Sequence, residues 1–205
     1  MRYIVGFLFI VNLVACTPRG QILALNKVDV QPFIDLRIQE SIMLSFPQNL
    51  SQSDFKAVRE SMIAAVRMRG FQDILDIDEH DFELKAALIN DFSLKRNIQR
   101  LNDNLGVSYY LEMQVVNRKP ARFSGLGSQL QYNEAMGAPF AGSPGLIPDP
   151  EHLTWTKYTL YQTDGAIPLA SIEVKSKHFQ NNQLDARVVR KEVEALFQQI
   201  FMAVN

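Results

Sequence analysis

Apolar side chains change period several times along this chain, and each change predicts an element boundary. Ile34, Leu36, Ile38, Ile42, Leu44 and Phe46 fall on even positions, with Asp35, Arg37, Gln39, Ser41 and Ser45 between them. A two-residue period predicts a half-buried strand over 33–46, stopped by Pro47, which has no N–H for a ladder. Glu40 breaks the apolar face, as expected of a bulge or of a position beyond the covered part of the sheet. The period then lengthens: Phe55, Val58, Met62 and Ala65 recur at threes and fours, one face of a helix. Ser51 or Ser53 can cap that helix, and Asp54 sits in its first turn. Gly70 reads as a left-handed stop, with Phe71 folding back toward Val66.

Residues 71–77 read as a short strand, and 82–92 as one or two irregular helical turns. A second amphipathic helix follows on Leu94, Ile98, Leu101 and Leu105, ended by Gly106. Alternation returns at Val107, Tyr109, Leu111, Met113 and Val115. Residues 117–151 break every period and carry five prolines and five glycines. Strands over 154–162 and 167–177 then flank Thr163-Asp164-Gly165, a hairpin signal. A last helix over 184–203 presents Val189, Val193, Leu196 and Ile200 on its inner face. The order β-α-β-α-β-(long loop)-β-β-α predicts an α/β chain of the α+β two-layer kind. Three main helices would pack on a mixed sheet of four or five strands.

The first fifteen residues obey a different logic. Arg2 precedes an apolar run over 4–11, too short for the about 20 residues that a spanning helix needs, and this reads as a signal peptide. Leu13-Val14-Ala15-Cys16 follows and resembles the lipobox of bacterial lipoproteins. The resemblance implies cleavage between Ala15 and Cys16, a diacylglycerol on the Cys16 sulfur and an N-acyl chain on the new terminus. By that family's sorting rule, Thr17 in place of Asp favours the outer membrane, facing the periplasm. Residues 16–32 would be the lipidated cysteine and a short tether, and 33–205 a single periplasmic domain with an irregular insertion at 117–151. Cys16 is the sole cysteine, so the mature domain has no disulfide to form.

Charge narrows the partners. The net charge is -1, and loss of the signal segment removes Arg2 and no acid. Such a balance supplies neither the basic footprint of a nucleic-acid binder nor a polybasic lipid patch. His80, His152 and His178 stand far apart in sequence, without metal-ligand spacing. Gly142-Ser143-Pro144-Gly145 reads as a turn and not a nucleophile elbow. The acidic stretch Asp73, Asp76, Asp78, Glu79, Asp81 and Glu83 lacks the glycine and spacing of a calcium loop and reads as a solvated face. The expectation is therefore a protein without catalytic activity, metal or cofactor, apart from its covalent lipid.

The remaining candidate site is the insertion. A long irregular segment inside a compact domain is usually functional or disordered, and this one carries Phe123, Leu126, Tyr132 and Phe140, expected to touch a protein partner. At fold level only, the helix ending at Leu105-Gly106 and running into a strand, with the later hairpin and closing helix, resembles a group of periplasmic domains. That group comprises the amino-terminal domain of the Tol–Pal propeller protein, the curli-secretion lipoprotein and the lipoprotein activator of a penicillin-binding protein. The resemblance implies a membrane-anchored protein that binds an envelope partner or itself. The alternative it implies is an oligomeric export-channel subunit with 117–151 inserted as a hairpin.

Overall fold

A computed structural model describes residues 20–32, 34–47, 50–120, 152–178 and 184–204. The strands are β1 (Gln21–Val30), β2 (Ile42–Ser45), β3 (Ile74–Asp76), β4 (Tyr109–Pro120), β5 (His152–Gln162) and β6 (Ile167–His178). Among the described residues the helices are α1 (Gln52–Met68), α2 (Asp81–Ala86), α3 (Lys95–Leu105) and α4 (Ala186–Val204), with a 3-10 turn at Asp164–Ala166. The six strands form one sheet in the order β1-β6-β5-β4-β2-β3. β2 pairs in parallel with β3 and with β4, and the β4–β5, β5–β6 and β1–β6 ladders are antiparallel. The α+β sandwich expected from the sequence is the one that forms.

The helices form where period and caps agree. The Ser51 hydroxyl accepts the Asp54 amide at 3.1 Å and starts α1. Gly70 (φ 101°) and Gly106 (φ 66°) follow α1 and α3 in the left-handed conformation that glycine adopts without strain. α1 and α4 pack on one face of the sheet and bury the main core, which includes Ile42, Leu44, Val58, Met62, Phe71, Leu111, Tyr158, Ile172, Val189 and Phe197.

Two parallel crossovers fix what lies on the opposite face. The chain steps outward from β2 to β3 through α1, then back past β2 to β4 through α2 and α3. Right-handed connections in opposite directions put their helices on opposite faces. Met43, between Ile42 and Leu44, therefore packs with Ile98, Leu101 and Tyr110 in a second core. Ile42, Met43 and Leu44 are all fully buried, so this strand is covered on both sides and not half-buried.

Several expectations need correction. The strand expected over 33–46 is regular only at Ile42–Ser45. Residues 38–40 turn, and the Tyr109 hydroxyl occupies backbone that a ladder would use, accepting the Arg37 amide at 3.0 Å and donating to the Asp35 carbonyl at 3.4 Å. Glu40 faces Arg37 at 3.3 Å near the surface. The acidic stretch is not uniformly solvated, since Asp76 is buried and paired with Arg59. The segment expected as a tether contains β1, an edge strand paired along β6, which takes the sheet to six strands. The break expected at 117 begins later, because β4 continues to Pro120 opposite His152.

Candidate functional site

A bulge in β4 organises the end of the sheet where the insertion departs. The register slips between Val115 and Asn117, so one residue is unpaired and the alternation beyond it inverts. Arg118 thereby points to the helix-covered face, at the start of α1. Its guanidinium donates to Asp54 Oδ2 at 3.2 Å and to His152 Nε2 at 3.2 Å. Asp54 Oδ1 also accepts the Leu184 amide at 2.6 Å. The His152 and His178 rings stack 5.0 Å apart, 17° from parallel. Histidines remote in sequence thus meet, each at the outer end of its hairpin strand.

The hydrogen bonds fix the protons. His178 Nδ1 accepts the Asp185 amide at 2.9 Å, so Nε2 carries the proton and donates to Thr154 Oγ1 at 2.9 Å. That polarity is opposite to the one needed to activate a hydroxyl nucleophile, where the imidazole accepts. Burial holds His152 down at about 4 and His178 at about 3, with Arg118 opposing protonation of His152 and His152 that of His178. Both rings are neutral near pH 7. Asp54, Arg118 and this pair tie α1, β4, β5, β6 and the start of α4 together.

The other face offers surface. Among the described residues, α2 and α3 pack there over β2 and the start of β4 and leave β5, β6 and β1 largely bare. Trp155 lies at the centre of the bare part, with the ammonium groups of Lys119 and Lys175 at 5.7 and 5.3 Å from its ring. Lys157 is exposed beside it, and Lys27 pairs with Glu173 at 3.1 Å. Where the bare sheet meets α2 and α3 there is an open cleft of about 1040 Å³. Tyr110, Glu112 and Gln114 form its floor, with Ser45, Phe46, Pro47 and Leu50 on one side and 89–93 on the other.

Comparison with known proteins gives only a likeness of shape. No family model and no curated protein matches the sequence. Among solved structures, the PelC dodecamer from Paraburkholderia phytofirmans aligns over 88% of this chain and 96% of its own at 8% identity, with a TM-score of 0.49. A singly substituted form of that dodecamer aligns over 85% and 96% at 7% identity and 0.48. The lipoprotein GNA1162 from Neisseria meningitidis aligns over 80% and 99% at 15% identity and 0.45. No residue correspondence follows at such identities, so the site is built from this chain's own atoms.

Ala15, Cys16, Phe123, Leu126, Tyr132 and Phe140 lie outside the described residues. What the structure brings together instead is Asp54, Arg118, His152 and His178 at the base of the insertion, and Trp155 and the cleft on the open face. The Asp164-Gly165 turn was the usable signal for the histidines, since His152 and His178 fall at similar distances on either side of it. Nothing in the local sequence signals the bulge that turns Arg118 inward.

Proposed function

We propose that this chain is a lipid-anchored protein of the bacterial cell envelope whose periplasmic domain binds a protein partner and catalyses no reaction. The anchor reading rests on Leu13-Val14-Ala15-Cys16, and Thr17 favours the outer membrane. The observation that carries the binding reading is the half-covered sheet: α1 and α4 seal one face, while the other keeps Trp155 and a large cleft open to solvent. A face of this kind, aromatic at its centre and polar at its rim, has the make-up of a protein interface.

In-cell photo-crosslinking tests it. A photoreactive residue at Gln114 or Lys157 should give a discrete adduct that is lost when Cys16→Ser removes the anchor. The same residue at Lys56, on the outer side of α1, should give none. Equal adducts at all three positions, or none anywhere, would overturn the reading. A second reading, an oligomeric export-channel subunit, draws on Leu23, Leu25 and Val28, which are 44%, 38% and 46% exposed on the edge strand β1. It predicts adducts that are multiples of the chain's own mass.

A further inference from the structure

The open cleft differs in charge from the rest of its face. Around Trp155 the sheet is rich in lysine, but the cleft is lined by Asp78, Asp81, Asp91 and Glu112 against Lys85 and Arg118. Both cations are already engaged, Lys85 with Asp81 at 2.5 Å and Arg118 with Asp54 at 3.2 Å. Asp78, Asp91 and Glu112 form no ion pair among the described residues. Burial and the neighbouring Asp76 raise the Asp78 carboxyl above its ordinary value, as for an anion short of compensating charge.

The floor supplies an independent observation. Tyr110 is fully buried, stacked between Phe92 at 5.0 Å and Tyr161 at 5.9 Å. Its hydroxyl lies against the cleft beside Ser45 and makes no hydrogen bond within 3.5 Å among the described residues. A buried donor without an acceptor costs about 1–3 kcal/mol, a cost that an incoming carbonyl would remove. The cleft's volume of about 1040 Å³ stands at the upper end of the ~300–1,000 Å³ typical of small-molecule pockets, and Phe46, Leu50 and Phe92 give it apolar walls. Size, negative charge, apolar walls and one unused donor together describe a site for an extended chain with cationic and apolar side chains.

We propose that the cleft receives a basic peptide segment of the protein partner, its Lys or Arg side chains meeting Asp78, Asp91 and Glu112 and its apolar side chains meeting Phe46 and Phe92. The proposal rests on the partner-binding reading and names the partner's chemistry. It is tested on the full chain purified in detergent, with fluorescein-labelled peptides of alternating Lys and Leu, or alternating Glu and Leu, as probes. Salt is kept near 0.15 M, where charges more than about 8 Å apart are largely screened.

The Lys-Leu probe should bind, and the Glu-Leu probe should bind at least about tenfold more weakly. Asp91→Asn with Glu112→Gln should cost the Lys-Leu probe about tenfold or more, whereas Glu60→Gln with Asp103→Asn, an equal charge change elsewhere, should not. Tyr110→Phe should weaken the probe and leave the melting temperature little changed, since the hydroxyl it removes makes no hydrogen bond within 3.5 Å among the described residues. Equal losses in the two charge-matched pairs would overturn the site. So would absence of Lys-Leu binding while in-cell adducts at Lys157 persist, which would leave the partner reading standing and exclude a basic peptide as the occupant of this cleft. If the chain self-associates and Asp91→Asn with Glu112→Gln dissolves the assembly, the occupant is a second copy and the peptide proposal falls.

Discussion

Glu192 enters α4 as one charge among many in the sequence, yet it is 1% exposed. Tyr158 donates to its Oε2 at 2.6 Å and Ser176 to its Oε1. Burial outweighs both hydroxyls and moves its carboxyl from 4.5 up to about 7. The folded state therefore holds this proton more tightly than the unfolded chain does. That contribution is complete below pH 4.5 and is lost as pH rises through about 7. His152 and His178 work in the other sense: their depressed values mean the unfolded chain takes up protons first as pH falls below 6.5. Between about pH 6.5 and 8 the two effects offset and stability should change little, whereas from pH 7 to pH 5 the histidines outweigh Glu192 and stability should fall by about 1–2 kcal/mol, measured by urea denaturation. Glu192→Gln removes the group that offsets the histidines and should steepen the acid fall; an unchanged acid fall would show that burial does not hold the Glu192 proton. Asp54 acts through geometry. Asp54→Ala leaves the buried Leu184 amide without its acceptor and should cost about 2–3 kcal/mol. Arg118→Ala should cost less, because Asp54 keeps the Leu184 bond.

At the scale of elements, β1 carries the clearest consequence. Were 17–32 a free tether, a chain beginning at residue 31 would fold unchanged. Because Gln21–Val30 pairs along β6, its removal bares the β6 edge, and unpaired edges promote association. That shortened chain should elute as aggregates in size exclusion where the full chain is monodisperse; an unaltered profile would refute the pairing. The insertion predicts the opposite result. β4 and β5 stay paired up to Pro120 and His152, so replacing 121–149 with a short Gly/Ser turn should hold or slightly raise the melting temperature, as closure entropy falls by about 0.6 kcal/mol per halving of loop length. These elements also show what the sequence could reveal. The helices were legible because Ser51, Gly70 and Gly106 punctuate a sustained apolar stripe. β1 was not, because register shifts at 22/24 and 25/27 scramble the two-residue period by which strands are read. Alternation reports one covered face and cannot foresee a crossover helix on the other, which is where Met43 is buried. The cleft was illegible for a related reason: Asp78, Asp91 and Glu112 come from separate elements, and only the topology makes them neighbours.

At the scale of the molecule, the position of β1 shortens the proposed anchor. Sixteen residues of tether would reach about 50–58 Å, whereas the five steps from Cys16 to Gln21 span at most about 18 Å. The chain is fixed just before β1 as well. A side chain at Gly20 would meet Val188 Cγ2 at 2.5 Å and Asp185 Oδ2 at 2.9 Å, so the backbone runs close against the start of α4. A lipidated Cys16 would then hold the domain against its bilayer, within reach only of partners in or near that membrane. Confinement of this kind acts as a high effective concentration, which falls as a linker lengthens beyond the span it must cover. A 20-residue Gly/Ser insert between Pro18 and Arg19 adds a mean reach of about 25 Å and leaves Gly20 and β1 in place. The insert should leave the melting temperature of the full chain unchanged and markedly reduce the in-cell adducts at Gln114 and Lys157. Undiminished adducts would show that the partner is free in the periplasm and that the short anchor has another purpose. A lowered melting temperature would instead place residues before Gly20 within the folded unit.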